Sequence, residues 1–331
     1  MDSLSSLFLH KYRINVMAIE PIRLPEYKGS ALRGLFGHAM KRVVCTAKNQ
    51  ECDACLLRLK CIYSAILESP IPEEHPHHRK YKNAPHPYII VPPLTNKQYF
   101  SPDELISFDI VLIGKANDYL PYFVYAFTEM GKIGIGKERG KFDVASVKAL
   151  GLDSGAVEVF NGIDGILRAA DNRIDYNRFI ISPSPEPSPI ITISFETPVR
   201  IKEDSKLSSD IHFGLFIKRL AERAFLLAHF HCGAEMGDVE GFVRDAEDVE
   251  AITNNLHWID WERYSNRQQT KMKLGGLIGE ITYRGNFQKY LPLIRLGEHI
   301  HVGKATTFGL GKYKIIKNKP LTLPSPLRGE D

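Results

Sequence analysis

Hydrophobic and polar residues alternate along Phe8–Ile19, which is the pattern of a β-strand with one buried face. The period changes in Gly29–Val44, where apolar residues recur every three or four positions, as in an amphipathic helix. The apolar face of this helix comprises Leu32, Leu35, Phe36, Ala39, Met40 and Val43. The chain therefore opens with a strand and a helix, and His38 lies on the side of the helix opposite the apolar face.

Similar patterns continue through the rest of the chain. In the first half they predict strands at Ser107–Ile113 and Phe142–Ala149 and a helix at Tyr119–Met130. The second half is predicted to form strands at Ile190–Thr197, Leu277–Tyr283, His299–Gly303 and Lys312–Ile316, with helices at Phe213–His229 and Asn286–Arg295. Two halves of similar content predict an α+β fold of two tandem ferredoxin-like (β-α-β-β-α-β, RRM-like) domains.

The length of 331 residues is about twice that of a usual domain. We place the N-terminal domain at 1–150, with a Cys/His-rich insertion at 45–93, and the C-terminal domain at 190–318. Residues 151–189 end in SPSPEPSP, whose prolines cannot join a sheet ladder, so we expect a linker there. Residues 319–331 show no periodicity, so a disordered tail is expected.

Composition narrows the class of protein. The chain is 44% hydrophobic and 25% charged, as is usual for globular proteins. It contains no run of 18 apolar residues that could span a membrane. The N-terminus lacks a basic region followed by an apolar stretch, so we expect a cytoplasmic protein with no membrane partner.

Charge is unevenly distributed. The net charge is +4, but the window from Lys271 to Lys319 carries +8 and the rest of the chain −4. A basic C-terminal quarter is what a polyanion-binding surface requires. A solvated, lysine-rich face would give the same distribution, and both interpretations remain open at this point.

Two segments combine glycine with lysine, GKIGIGKERGKF at residues 131–142 and GKATTFGLGKY at residues 303–313. Glycine lets the backbone approach a phosphate closely, and lysine adds charge. The second segment is not a Walker A loop, because Gly297 precedes Gly303 by six positions rather than five and Ala305 replaces the Ser/Thr. We expect Lys304 to contact phosphate, supported by Lys273 and Arg284; the alternative is a purely structural turn.

Four of the five cysteines lie within 17 residues, at Cys45, Cys52, Cys55 and Cys61. Four thiols with one CxxC pair suit a tetrahedral structural zinc site. An iron–sulfur cluster also takes four thiolates, and four unrelated thiols are the third possibility.

The segment WIDWERYSNRQ, residues 258–268, combines aromatic rings with Arg263 and Arg267. Aromatic rings stack on bases and arginines pair with phosphates, so this composition is typical of RNA contact. Core packing by the two tryptophans is the alternative.

Several of these motifs occur together in one family. The segments LPEYKGSALRGLFGHAMKR, PHPYIIVPP, GIGKERGKF, WERYSNRQ and HIHVGKATTFGLGKY resemble those of the Cas6 family of CRISPR repeat-RNA endoribonucleases, in the RAMP superfamily. The resemblance implies two ferredoxin-like domains and metal-independent cleavage of the repeat in CRISPR precursor RNA. Attack by a 2′-hydroxyl would leave a 2′,3′-cyclic phosphate and a 5′-hydroxyl. Other Cas effector subunits are candidate partners.

Such cleavage requires a general base, a general acid and a cation on the phosphorane. His38 is the first candidate, with Lys41 one turn away; the resemblance places a catalytic histidine on or just after this helix and likens Tyr27 to a tyrosine beside it. His301, next to the terminal glycine-rich loop, is expected to contact RNA. Two alternatives remain: a non-catalytic RAMP subunit that binds crRNA in an effector complex, and a zinc-dependent nucleic-acid-binding module.

Overall fold

The computed structural model describes residues 2–47, 50–153, 155–181, 189–265 and 270–316; for residues 2, 181, 262–265 and 270–273 it describes the backbone alone. The helices are α1 (Asp2–Ser5), α2 (Gly29–Val44), α3 (Ile62–Leu67), α4 (Leu120–Ile133), α5 (Asn177–Ile181), α6 (Phe213–Cys232), α7 (Val239–Val243) and α8 (Leu291–Ile300). The strands are β1 (Phe8–Ala18), β2 (Ile22–Arg23), β3 (Tyr88–Val91), β4 (Tyr99–Phe100), β5 (Leu105–Ile113), β6 (Phe142–Leu150), β7 (Ala156–Asn161), β8 (Arg173–Asp175), β9 (Ile190–Val199), β10 (Lys202–Glu203), β11 (Lys206–Leu207), β12 (Glu250–Asn254), β13 (His257–Ile259), β14 (Glu262–Ser265), β15 (Thr270–Lys273), β16 (Gly276–Arg284) and β17 (Tyr313–Ile316).

The first half folds around an antiparallel sheet with strand order β3-β5-β1-β6-β7, and β8 pairs with one end of β1. Helices α2 and α4 cover one face of this sheet. The ring of Phe36 on α2 lies 5.1 Å from those of Phe123 and Phe127 on α4, and these rings belong to the core under the sheet. Burial of the apolar stripe thus fixes how α2 faces the rest of the domain.

The second half repeats this connectivity. Its antiparallel sheet has the order β12-β16-β9-β17, with β13 also paired to β16, and it is crossed by α6 and α8. Phe213 at the start of α6 packs edge-on against Tyr283, Phe287 and Tyr290. Both halves therefore run β-α-β-β-α-β along the chain, and the expectation of an α+β fold is confirmed.

The two halves share a hydrophobic core. Side chains of the first sheet, among them Leu9, Val111 and Ile113, join the same buried cluster as Leu220, Ala224 and Leu227 of α6. Helix α6 therefore packs against the first sheet as well as its own, and this packing places the arginines of α6 beside the first half. Among the described residues, no helix is long and apolar enough to cross a membrane.

Three sequence-based expectations need correction. The predicted insertion 45–93 contains strand β3, and the predicted linker 151–189 contains β7 and β8, which join the first sheet. His299–Gly303 is not a strand, because helix α8 continues to Ile300 and His301 ends it with a positive φ of 57°. The prolines at 183–188 and the tail beyond 316 lie outside the described residues.

Candidate nucleic-acid interface

A cleft of about 680 Å³ opens between the two halves. It is lined by α2, by residues 81–86, by the end of β9 and by the face of α6, and the glycine-rich loop 303–308 closes it. The cations that line it are Arg33, Arg200, Lys202, Arg219, Arg223 and Lys304. Glu222 is the one carboxylate among these described lining residues. The cleft is therefore strongly positive, as an anion-binding site requires.

Arg223 on α6 lines this cleft, and one of its hydrogen-bond donors has no partner among the described residues. Its Nε donates to the carbonyl of Ile300 at 2.9 Å, but its buried Nη2 has no hydrogen-bond partner among the described residues. Burial lowers the pKa of Arg223 to about 10, so the guanidinium stays charged at neutral pH. Buried donors in folded proteins are almost always satisfied, and a bound anion would satisfy this one.

The remaining arginines of the cleft are held by neighbouring groups. Arg219 donates to the carboxylate of Glu222 at 2.8 Å and to the carbonyl of Lys202 at 3.0 Å. Arg200 donates to the carbonyl of Gly275. The guanidinium of Arg33 lies 5.5 Å from the centre of the Phe308 ring, and its buried Nε has no partner among the described residues. Their positions are thus set before any ligand arrives.

The glycine-rich loop is anchored to the end of β9. The backbone N–H of Lys304 donates to the carbonyl of Arg200 at 2.9 Å, and the buried hydroxyl of Thr197 donates to the carbonyl of Gly309 at 2.8 Å. Gly303 has a φ of +84°, and a Cβ there would lie 2.5 Å from the Arg200 carbonyl oxygen. Only glycine fits such a turn. The exposed side chain of Lys304 is left facing the cleft.

Tyr27, predicted as a catalytic residue, is buried under this loop. Its hydroxyl donates to the carbonyl of Phe308 at 2.6 Å, and its ring stacks on Trp261 with centroids 4.1 Å apart. Burial raises the pKa of Tyr27, so the phenol is held protonated. Through these contacts Tyr27, which directly precedes α2, is joined to the glycine-rich loop.

The other two predicted catalytic residues face different surroundings. His38 is exposed on α2, as its place opposite the apolar face predicts, and it is not among the residues that line the cleft. The ammonium group of Lys41 lies 5.9 Å from the ring centre of Tyr63 on α3. None of Tyr27, His38 and Lys41 lines the cleft, although His38 and Lys41 are neighbours one turn apart on α2.

His301, which was expected to contact RNA, is buried in this structure. The His301 side chain is only 1% exposed, its Nδ1 lies 3.2 Å from the carbonyl oxygen of Leu310, and burial lowers its pKa to about 3. A different histidine, His86, lines the cleft; burial is the main cause that lowers its pKa to about 4. His301 therefore fixes the loop from inside.

The other predicted RNA-binding residues lie elsewhere. Arg284 is exposed on β16 and pairs with Glu250 at 2.9 Å. Arg263 and Lys273 are on the paired strands β14 and β15, of which only the backbone is described, and Arg267 lies outside the described residues. Lys304 is the one predicted phosphate contact that the described structure places in the cleft. Sequence reasoning missed Arg33, Arg200 and Arg223 as cleft residues. Only for Arg223 was a signal available, because it is one of the arginines on the helix predicted at Phe213–His229.

The four clustered cysteines line a second, small cavity of about 20 Å³ beyond the end of α2. All four are free thiols. Burial raises the pKa of Cys52, while the nearby charge of Lys41 acts in the opposite direction. Among the described residues, no three metal-ligating side chains are already arranged to hold an ion, so the zinc site stays a prediction.

Comparison with protein families gives two matches along the chain. Residues 7–172 match the family AF_1859_N, described as an N-terminal domain, and this match covers half of the chain. Residues 193–313 match the family described as CRISPR-associated endoribonuclease Cas6. An Archaeoglobus fulgidus protein described as uncharacterized is 24% identical over 300 residues, which are 88% of this chain and 92% of that protein.

Solved structures resemble the fold at low sequence identity. A Cas6 product complex aligns with a TM-score of 0.56 and 14% identity, over 93% of this chain and 99% of that chain. Thermus thermophilus Cas6 aligns with a TM-score of 0.53 and 13% identity, over 94% and 99%. A chain of a partial Cas6-RT-Cas1–Cas2 complex aligns with a TM-score of 0.57 and 15% identity, over 98% of this chain and 48% of that one.

Proposed function

We propose that this chain, whose residues 193–313 match the CRISPR-associated endoribonuclease Cas6 family and whose residues 7–172 match the AF_1859_N family, cleaves the repeat of CRISPR precursor RNA without a catalytic metal ion. The observation that carries the proposal is the interdomain cleft, in which Arg223 offers a buried, unsatisfied donor beside Lys304 and Arg33. The two ferredoxin-like halves would hold the RNA backbone between them.

The proposed reaction needs no external nucleophile. The 2′-oxygen on the 5′ side of the cut attacks phosphorus while a base takes its proton. The bond from phosphorus to the 5′-oxygen breaks, and an acid protonates the leaving oxygen. The products are a 2′,3′-cyclic phosphate and a 5′-hydroxyl, so atoms and charge balance without water or metal.

Charge stabilisation is assigned to the cleft. Negative charge accumulates on the phosphorane oxygens in the transition state, and positioned cations lower its energy. Arg223 and Arg33 are fixed by their contacts with Ile300 and Phe308, so they need little reorganisation when the RNA binds. Lys304 would add a more mobile phosphate contact at the rim.

Proton transfer is assigned to His38. Histidine is the side chain whose free pKa lies closest to neutrality, and His38 is exposed on the same helix as Arg33. In this proposal Tyr27 holds the glycine-rich loop in place. Lys41 packs against the ring of Tyr63 and takes no part in proton transfer. Repeat RNA would have to extend from the cleft over the outer face of α2.

A non-catalytic crRNA-binding subunit is the second candidate. It is favoured by one observation: His38 does not line the cleft that holds the arginines. Such a protein would bind repeat RNA in the same cleft and release it uncut, alone or with other Cas subunits.

End-labelled repeat RNA incubated with the full chain in EDTA distinguishes the two. We expect one cut within the repeat and a product that carries a 2′,3′-cyclic phosphate. A single 2′-deoxy nucleotide 5′ of the cut should block cleavage but not binding. Cleavage of the deoxy RNA would disprove the 2′-hydroxyl mechanism, and binding without any cut would favour the crRNA-binding subunit.

A further inference from the structure

The segment after α2 is ordered without a hydrophobic core of its own. Between α2 and α3, from Cys45 to Cys61, none of the described residues is buried. Leu56 is 99% exposed, and Leu57 and Leu59 are about half exposed. Ordering a residue costs about 1–2 kcal/mol of backbone entropy, and this segment buries little apolar surface to offset that cost.

The segment nevertheless forms a chain of tight turns. The N–H of Cys55 donates to the carbonyl of Cys52 at 3.2 Å, and the N–H of Cys61 donates to the carbonyl of Leu57 at 2.8 Å. Cys45 directly follows α2, Cys52 begins a short helical turn that Cys55 ends, and Cys61 directly precedes α3. Each cysteine thus stands at an end of a local element, and all four line one cavity.

Their common interior is the cavity of about 20 Å³. A cavity needs about 10–15 Å³ by this measure to hold one water molecule, so there is room for a single ion. The described lining includes all four cysteines and no histidine or carboxylate. A cluster of several iron and sulfur atoms would need much more space.

We propose that Cys45, Cys52, Cys55 and Cys61 bind one zinc ion that replaces a hydrophobic core in this segment. Zinc takes four thiolates in a tetrahedron with Zn–S distances of about 2.3 Å. Binding would draw the sulfurs inward, and the thiol protons would pass to solvent with no change of oxidation state. Zinc binding at these cysteines does not depend on whether the protein cleaves RNA.

Nearby charges fit an anionic metal centre. A zinc ion with four thiolates carries a net charge of −2, which neighbouring cations stabilise. Lys41 lies close enough to Cys52 to act on it electrostatically. Arg58 lines the cavity and pairs with Asp53 at 3.2 Å. Lys41, first considered for catalysis, thereby gains a structural role.

The test is metal analysis of the full-length protein purified without added metal. We expect about one zinc ion per chain, released when the thiols are modified. Cobalt substitution should give the intense visible bands of tetrahedral thiolate coordination. Metal-free wild-type protein, or iron with visible cluster absorption, would overturn the zinc assignment.

Variants locate the ion. Cys52→Ser with Cys55→Ser should lose the metal and melt at a lower temperature, whereas Cys232→Ser, which removes a thiol outside the segment, should keep the metal. If the double variant fails to fold, the zinc content and cobalt spectrum of wild type and Cys232→Ser still decide the matter. Full zinc content in a folded double variant would refute the site.

Discussion

The hydroxyl of Tyr27 donates a hydrogen bond to the carbonyl of Phe308, 2.6 Å away and 281 positions further along the chain. The contact is supported from α2, because a Cβ on Gly29 would lie 2.1 Å from the same carbonyl oxygen. Through it the first half of the chain holds the glycine-rich loop of the second. The loop is therefore positioned by both halves at once.

Tyr27→Phe tests that role. Loss of one hydrogen bond costs about 0.5–1.5 kcal/mol, and more when the remaining partner stays buried. We expect a lower melting temperature and weaker RNA binding, with cleavage slowed but still measurable at saturating protein. Tyr125→Phe, at an exposed position on α4, is the control. Complete loss of cleavage with unchanged stability and affinity would make Tyr27 a catalytic residue instead.

His38→Ala tests proton transfer. A positioned acid or base contributes about 10²- to 10⁴-fold to rate, so single-turnover cleavage should fall within that range. RNA affinity should change little, because His38 lies outside the cleft. His257, exposed on β13, provides a matched His→Ala control. A rate equal to that of wild type would remove His38 from the mechanism.

Lys304→Ala tests the phosphate contact at the loop. We expect weaker binding at every salt concentration and a salt slope reduced by about one unit, because one fewer counterion is released. Lys132→Ala on α4 removes a lysine that pairs with Glu129 and does not line the cleft, and it should leave the slope unchanged. An unchanged slope for Lys304→Ala would leave the loop with a structural role alone.

Arg223→Gln tests the buried donor in the cleft. A hydrogen bond to a charged group contributes about 1.5–3 kcal/mol, so RNA affinity should fall about 10- to 100-fold. Arg223→Lys keeps the charge but not the forked geometry, and we expect an intermediate loss. Circular dichroism and thermal melting separate this effect from damage to the contact with Ile300. Unchanged affinity in both folded variants would place the RNA backbone elsewhere.

Stability should fall as the pH is lowered from about 6.5 to 4. Burial is the main cause that lowers the pKa of His86, His231 and His299 to about 4 and that of His301 to about 3. The pKa of an unperturbed histidine is about 6.5. Below that pH the unfolded chain binds more protons than the folded one, so acid favours unfolding. Each group contributes up to about 1.4 kcal/mol per pH unit.

Urea unfolding at pH 7 and pH 5 measures this dependence. His231→Gln removes one of the four groups, so its stability should depend on pH less steeply than that of wild type. Equal slopes for the two proteins would mean that His231 is already protonated in the folded state.

Local periodicity was sufficient to predict several elements. Helix α2 has the predicted bounds Gly29–Val44, because its apolar residues keep a helical spacing along the whole segment. The same reasoning failed at His299 and His301. Their alternation suggested a strand, whereas Leu293, Ile294, Leu296 and Ile300 are buried at the spacing of a helix.

The cleft could not be predicted from local patterns. Arg33, Arg200 and Arg223 come together only because α6 packs on the first sheet as well as on its own. The spacing of residues within a single segment does not reveal which other segment packs against it. Tyr27 was predicted from the sequence as a catalytic residue, but the carbonyl that accepts its hydrogen bond lies in the other half of the chain.

The core shared by α6 and the first sheet also determines what should happen when a protease cuts the polypeptide between its two halves. A protease cut between Ile181 and Pro189 would leave two fragments, each with one of the two large sheets. Separating them would expose the apolar face of the first sheet that α6 covers. The nicked protein should therefore remain a single particle, and the intact chain should unfold in one cooperative transition rather than domain by domain.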